Sequence, residues 1–315
     1  MKGLVIRNTG YSYTVRADES GALYECKVKG NFRIKGIRTT NPVAIGDRVE
    51  FTPQQEENAG LIVALEDRRN YIIRKSTNLS KQSHILAANV DQCFLIVTVT
   101  RPETSLIFID RFLVSAEAYR VPVTLVFNKV DLVEGDWREY LEGMVNLYET
   151  IGYECRQISA KTGLGVEELR KELSGKVTLL SGNSGVGKST LINALFPHLN
   201  LKTSEISDAY NTGKHTTTFS EMYPISSSGD GYIIDTPGIK GFGTFDMEKE
   251  EIGHYFKEIF RFSAQCKFHN CTHTHEPHCA VLEAVERHDI SESRYNSYLS
   301  MLEDENEEKY RAAHP

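Results

Sequence analysis

The sequence predicts a multidomain chain: a small N-terminal β-barrel, a central α/β unit with a doubly wound parallel sheet, and a mainly helical C-terminal part. Three observations carry this reading. Five short β-type runs separated by Gly, Asn, Asp and Pro fill residues 1–67. Beyond them, strand-length apolar runs alternate with helical periodicity, the pattern of a sheet covered on both faces by helices. Near the end, three cysteines and several histidines crowd into one short window between helical stretches. The expected boundaries are 1–67, 68–245 and 246–315.

A chain of 315 residues that is 40% hydrophobic buries a sizeable core. Its longest apolar runs, such as Cys93 to Val99, are strand length, and Met1 is not followed by the basic-then-apolar order of a secretory signal. No membrane association is expected, and the cytoplasm is the expected location. Cys26, Cys93 and Cys155 lie apart in apolar or mixed runs and read as buried thiols. The net charge of −7 argues against bulk electrostatic coating of nucleic acid, DNA in particular. The balance is uneven, however. Residues 1–75 hold 13 Lys/Arg against 9 Asp/Glu, a net +4, which leaves the remaining 240 residues at −11.

The barrel runs are Gly3 to Arg7, Tyr11 to Val15, Leu23 to Val28, Arg48 to Thr52 and Gly60 to Leu65. Five strands at this spacing suit an OB-type barrel, and an SH3-like barrel gives nearly the same pattern. Lys27, Lys29, Arg33, Lys35 and Arg38 gather around Phe32, which suits either a phosphate-binding face with a stacking aromatic or a solvated strand surface. Asp67 to Gln82 is polar and basic and reads as a linker.

In the central unit, strands are expected at Asp91 to Thr98, Val123 to Phe127, Cys155 to Ile158, Val177 to Leu180 and Tyr232 to Ile234. Helices are expected at Ile107 to Tyr119, Trp137 to Tyr148, Val166 to Leu173 and Thr190 to Phe196. Sites in such folds form at the carboxyl ends of the strands. The strand ending at Leu180 runs into Gly182-Asn183-Ser184-Gly185-Val186-Gly187-Lys188-Ser189, a GxxxxGKS loop. Its glycines let successive N–H groups point at one phosphate, Lys188 neutralises phosphate charge, and the Ser189 hydroxyl suits Mg²⁺. The helix opening at Thr190 adds its positive end.

The strand ending at Phe127 runs into Asn128-Lys129-Val130-Asp131, an NKxD motif. Guanine presents N1–H and N2–H₂ on one edge, and a carboxylate at Asp131 accepts both, whereas adenine offers no such pair. Asn128 suits bonding the base and bracing loops, and the Lys129 stem suits lying over the ring plane. Ser159-Ala160-Lys161 ends the next strand and resembles the SAK loop of GTPases, in which the Ala160 N–H faces guanine O6. Asp235-Thr236-Pro237-Gly238 is a DxxG motif: Asp235 would hold Mg²⁺ through water, and the Gly238 N–H would sense the γ-phosphate. Between loop and DxxG lies Gly213-Lys214-His215-Thr216-Thr217-Thr218, where Thr216 or Thr217 completes the Mg²⁺ shell.

In a Ras-like GTPase the phosphate loop comes first and NKxD and SAK come last. Here NKxD and SAK precede the loop. Joining old termini and cutting an exposed loop leaves strand neighbours unchanged, so the motifs describe a circularly permuted P-loop GTPase whose end falls just after DxxG.

Beyond DxxG the chain carries Cys266-x4-Cys271-x-His273-x5-Cys279. Three thiolates and an imidazole suit one tetrahedral Zn²⁺ with no position open for catalysis, with His269, His275 and His278 as competing nitrogen donors. Helical patterns at Glu250 to Arg261, Ala280 to His288 and Tyr295 to Leu302 flank the cluster, and Glu303 to Glu308 reads as a solvated acidic end.

A basic small barrel, the order NKVD, SAKTG, GNSGVGKST, HTTT, DTPG, and the zinc spacing together resemble the ribosome small-subunit-dependent GTPase family, RsgA, also called YjeQ or YloQ, over nearly the whole chain. The resemblance implies an OB-fold barrel, binding to the 30S ribosomal subunit and its 16S rRNA, a role in late maturation of that subunit, and GTP hydrolysis that the subunit stimulates by a monomeric enzyme. Where Ras places the glutamine that orients attacking water, this chain has Ile239, which neither donates nor accepts a proton. The resemblance points instead to a histidine in the HTTT segment, here His215, acting with Lys188 and Thr217. The alternative class is an RNA-binding scaffold with structural nucleotide and incidental hydrolysis, for which the missing glutamine is the main support.

Overall fold

The computed structural model describes residues 1–28, 42–54, 58–75, 83–201, 206–207, 212–213, 221–226, 231–236 and 247–303. His215, Thr216, Thr217, Gly238 and Ile239, the basic cluster beyond Lys27, and the acidic end after Glu303 lie outside the described residues. None of the helices among the described residues is long and apolar enough to cross a membrane.

Five strands, β1 (Lys2–Asn8), β2 (Tyr13–Ala17), β3 (Leu23–Val28), β4 (Arg48–Pro53) and β5 (Ala59–Leu65), form the N-terminal barrel. Hairpin neighbours pair antiparallel, β3 pairs parallel with β5, and β1 closes against β4. This Greek-key closure is that of an OB-fold and excludes the SH3-like alternative. Every second side chain points inward, so Val5, Val15, Cys26, Val49, Phe51 and Ile62 make a dry core.

Within the linker expected at Asp67 to Gln82, Tyr71–Lys75 departs from the expectation. Tyr71–Lys75 forms β6 and pairs antiparallel with β7 (Ser83–Ala88). The reason lies in burial: Ile72, Ile73 and Ile85 are packed away from water, and the register shifts between Ile72 and Ile73, so no two-residue alternation marked the strand among its polar neighbours. Asp47 and Arg68, whose side chains are both nearly fully buried, pair at 2.6 Å, with Arg68 standing just before this hairpin in the chain. Burial pushes the Asp47 carboxyl up, and Arg68 with the Ala44 N–H counters it.

The central unit contains β8 (Gln92–Val97), α1 (Leu106–Ala118), β9 (Val123–Phe127), α2 (Asp136–Ile151), β10 (Glu154–Gln157), α3 (Val166–Lys171), β11 (Val177–Ser181) and α4 (Lys188–Leu195). It continues through the two-residue strands β12 (Ile206–Ser207) and β13 (Thr212–Gly213) to β14 (Glu221–Pro224) and β15 (Tyr232–Asp235). The strand order β10-β9-β8-β11-β15-β14 puts the phosphate-loop strand β11 between β8 and β15, and in that order only β14 runs antiparallel. Cys93, Leu95 and Val97 of β8 face α1 and α2, whereas Phe94 and Ile96 face α3 and α4. A strand covered on both faces needs no polar alternation, which is why β8 is one apolar run. β14 also pairs with barrel strand β1, so one eleven-stranded sheet spans both units.

The C-terminal part comprises α5 (Lys249–Ile252), α6 (Lys257–Ser263), α7 (Ala280–Glu286) and α8 (Glu292–Leu302). The single helix expected from Glu250 to Arg261 is broken at Gly253–Phe256 by a 3₁₀ turn, because Phe256 leaves helical geometry to bury fully against Tyr298. Helix α1 is buried on almost every side, since Val114 reaches into the C-terminal core with Ile252, Phe256, Ile259 and Met301. At that seam Arg294, fully buried, donates to Asp110 at 2.7 Å and to Glu258 at 2.6 and 3.2 Å and lies over the Phe256 ring. Tyr148 of α2 donates to the same Asp110 oxygen at 2.8 Å.

Candidate functional site

The phosphate loop leaves β11 at Gly182, whose φ is +144°, and a Cβ there would stand 2.3 Å from the Ile96 carbonyl oxygen. Only glycine permits that exit. The loop ends at Gly187, whose φ of +97° caps α4 and whose missing Cβ leaves room for the Asn128 amide. Between them Val186 is fully buried and pins the loop to the α3/α4 side of the sheet, and Ser189 follows Lys188 in the first turn of α4. Lys188 folds back so that its ammonium donates to the Gly182 carbonyl at 2.8 Å and the Asn183 carbonyl at 2.9 Å. Burial pulls the Lys188 ammonium down to about 8, with Asp235 acting against the fall. A cation so placed favours an arriving anion, because the anion restores the charge that burial penalises.

Asn128 ties three loops together. Its Nδ2 donates to the Val186 carbonyl at 2.8 Å, and its Oδ1 accepts the Ala160 N–H at 3.0 Å. The Ala160 N–H, expected to face guanine O6, therefore has a protein partner in this structure. Lys129, at φ +63°, donates to the Gly185 carbonyl at 2.7 Å and to the Arg101 carbonyl at 2.6 Å. Burial brings its ammonium down to about 8, opposed by Asp131. Asp131 itself is exposed in the 3₁₀ turn Val130–Leu132. Ser159 is buried, and its Oγ accepts the Thr162 N–H at 3.1 Å, which shapes the turn that also holds Lys161. NKxD, SAK and the phosphate loop thus meet at the carboxyl ends of β9, β10 and β11, as their sequence positions at strand ends predicted.

Asp235 ends β15, is buried, and lies in register with Leu180 of β11. The neighbouring Thr236 hydroxyl donates to the Leu180 carbonyl at 2.9 Å. Sequence reasoning missed the Arg101 carbonyl as a lysine acceptor, since a backbone atom carries no side-chain signal; it also missed β14, a four-residue strand that opens on glutamate, ends in proline and is too short to show a period.

The ligand atoms of Cys266, Cys271, His273 and Cys279 all lie within 4.8 Å of one another. Cys266 Sγ is 3.7 Å from His273 Nδ1 and 3.9 Å from Cys279 Sγ, and Cys279 Sγ is 3.4 Å from His273 Nδ1. A zinc ion with sulfur ligands at about 2.3 Å and nitrogen at about 2.0 Å has tetrahedral edges of about 3.5–3.8 Å, so this donor set fits the ion. His273 is the histidine the cluster uses; His269, His275 and His278 are not in it. Burial holds the His273 imidazole below its usual range and pushes the Cys271 thiol up to about 12, a state in which a metal must displace the thiol protons to bind. Tyr295 and Tyr298 of α8 donate to the carbonyls of His273 and Thr272, both at 2.7 Å, and fix the loop to the helical core.

Comparison with known proteins agrees with this geometry. Residues 65–245 match the family model of the RsgA GTPase, and residues 2–62 match that of the RsgA N-terminal domain. Small ribosomal subunit biogenesis GTPase RsgA 2 of Bacteroides thetaiotaomicron is 68% identical over 314 residues, covering 100% of both chains. The protein named small ribosomal subunit biogenesis GTPase RsgA in Porphyromonas gingivalis is 57% identical, covering 99% of both. Among solved structures, YjeQ from Thermotoga maritima superposes with a TM-score of 0.73 at 38% identity, covering 96% of both chains. YloQ, described as a circularly permuted GTPase, superposes with a TM-score of 0.70 at 28% identity over 96% of this chain and 93% of that one.

Proposed function

Since the chain belongs to the RsgA GTPase family, hydrolases that act on GTP, we propose that it is a late-stage maturation factor of the small ribosomal subunit whose GTP turnover the 30S subunit stimulates. The observation that carries this reading is the Asn128 brace. It draws the guanine-reading loops, placed early in the chain, onto the phosphate loop placed after them. The domains on this reading are the barrel at 1–67, the GTPase unit at 68–245 and the zinc-binding helices at 246–315.

Asp131 selects guanine by accepting from N1–H and N2–H₂, the Lys129 stem covers the base, and Asn128, Ser159, Ala160 and Lys161 wall its edge. Residues Gly182, Asn183, Ser184, Gly185, Val186 and Gly187 offer backbone to the phosphates, Lys188 supplies charge, and Thr190 continues the first turn of the helix. Ser189, Asp235 and Thr217 are the residues that would hold Mg²⁺, with Thr216 adjacent; the ion supplies charge neutralisation on the phosphates. Gly238 senses the γ-phosphate. His215 orients the attacking water, a task that Ile239 cannot perform. Cys266, Cys271, His273 and Cys279 would hold one structural Zn²⁺, which supplies fold stability and no open position for chemistry.

The barrel faces 16S rRNA through the basic cluster of Lys27, Lys29, Arg33, Lys35 and Arg38, and the chain acts as a cytoplasmic monomer with no membrane or DNA partner. The deciding experiment measures GTP turnover by the full chain with and without purified 30S subunits. Turnover is expected to rise when subunits are added. Equal turnover in both arms would favour the scaffold alternative and overturn the proposal.

A further inference from the structure

The sheet rung that carries Asp235 runs out of the nucleotide unit and into the barrel. Glu221 of β14 stands opposite Asp235 of β15 on one side and opposite Arg7 of β1 on the other. Residues directly opposite in antiparallel pairs project on the same face, so Arg7, Glu221 and Asp235 form one row. Tyr223, two residues along β14, shares that face and donates its hydroxyl to Glu221 Oε2 at 2.9 Å. Arg7 Nε lies 4.0 Å from Glu221 Oε1. The charge of Asp235 is also felt by Lys188 of α4, whose ammonium it helps to keep protonated. From the barrel inward the row reads cation, carboxylate, carboxylate, and the Lys188 ammonium at the start of α4 acts electrostatically on its last member.

Two carboxylates opposite each other on neighbouring strands repel. The row is tolerated because a cation acts on each of them. The outer pair on the barrel side is loose, since side chains of Arg7 and Glu221 are 49% and 38% exposed, and an ion pair of that kind contributes at most about 1 kcal/mol. A phosphate oxygen of RNA seated against β1 competes for Arg7 at little cost, and the freed charge of Glu221 then faces Asp235. Glu221 also lies only four residues beyond Thr217.

We infer that Arg7 and Glu221 are positioning residues for hydrolysis: through them, a nucleic-acid phosphate bound at the barrel changes the field at the aspartate assigned to Mg²⁺. The inference rests on the small-subunit reading of the function. It adds a site where the barrel enters the reaction, which the nucleotide motifs do not reveal.

The test uses the full chain and purified 30S subunits with Arg7→Ala, Glu221→Gln, the double variant, and the conservative Arg7→Lys and Glu221→Asp. Glu221→Gln is expected to lower subunit-stimulated kcat about tenfold, whereas Arg7→Ala, which frees Glu221 without any phosphate, is expected to raise turnover in the absence of subunits toward the stimulated value and so to shrink the stimulation. KM for GTP and co-sedimentation with subunits should stay unchanged, and the Mg²⁺ concentration for half-maximal stimulated turnover should shift. The double variant should behave as Glu221→Gln alone, because Arg7 acts only through the Glu221 charge. The conservative variants should keep most of the stimulation. Stimulation equal to wild type in both deleting variants overturns the inference, as do a double variant that behaves otherwise than Glu221→Gln, losses proportional to weakened co-sedimentation, or conservative variants that fail as badly as deletions. A wild-type chain that subunits do not stimulate overturns the small-subunit reading and the inference together.

Discussion

Lys188 donates in this structure to two carbonyls of its own loop, and burial brings its ammonium down to about 8. A bound polyphosphate favours the charged form, so the folded, nucleotide-bound lysine keeps its proton to higher pH than the nucleotide-free one. GDP affinity is therefore expected to be constant near neutrality and to fall as pH rises through about 8; calorimetric titration at neutral pH and one unit above that value checks it. Asp131 offers a second prediction. Its carboxylate is exposed and fixed in the 3₁₀ turn after Lys129, so Asp131→Asn leaves the fold unchanged while removing the acceptor for both guanine donors. The expected loss of GDP binding is about 2–5 kcal/mol, read by fluorescence titration. An inosine nucleotide, which lacks the 2-amino group, should lose less, and an equal loss for both would count against base reading by this residue.

Helix α1 shows what packing adds to a motif. Its buried face toward the sheet belongs to any nucleotide fold, but Asp110 and Val114 face the C-terminal helices, and Arg294 of α8 completes the seam with Glu258 and Tyr148. Removing the cation leaves two buried carboxylates, a loss of about 3–5 kcal/mol in comparable cases. Arg294→Met is expected to lower the unfolding midpoint of the C-terminal part, followed by denaturant titration with the single Trp137 and far-ultraviolet dichroism as separate probes. None of this seam was legible in the sequence, because an arginine between serine and tyrosine on a helix reads as a surface residue. By contrast β8, β9 and β11 were legible, since strands covered on both faces must be continuous apolar runs. The hairpin of β6 and β7 was hidden by polar residues flanking its three buried isoleucines, Ile72, Ile73 and Ile85, and β14 by its glutamate and terminal proline.

At the scale of the molecule, the zinc spacing was legible as a donor set with His273 as its imidazole, and geometry removes the three competing histidines, because spacing alone does not aim an imidazole. Cys266, Cys271 and Cys279 also belong to the C-terminal core, so metal and packing support the same unit. Chelation, or Cys279→Ser, is expected to release one zinc per chain and to expose the loop 264–279 to protease, while the nucleotide unit stays resistant; metal analysis with limited proteolysis reads both. The eleven-stranded sheet has a further consequence for synthesis. The barrel closes on contacts among residues 2–65 alone, whereas β11 needs β15, which ends at Asp235. At about 5–20 residues per second, the intervening stretch takes about 10–35 s to appear. During that interval the nascent chain already carries a finished barrel with no switch attached to it, and the Arg7 end of β1 stays uncovered until Glu221 arrives to pair with it.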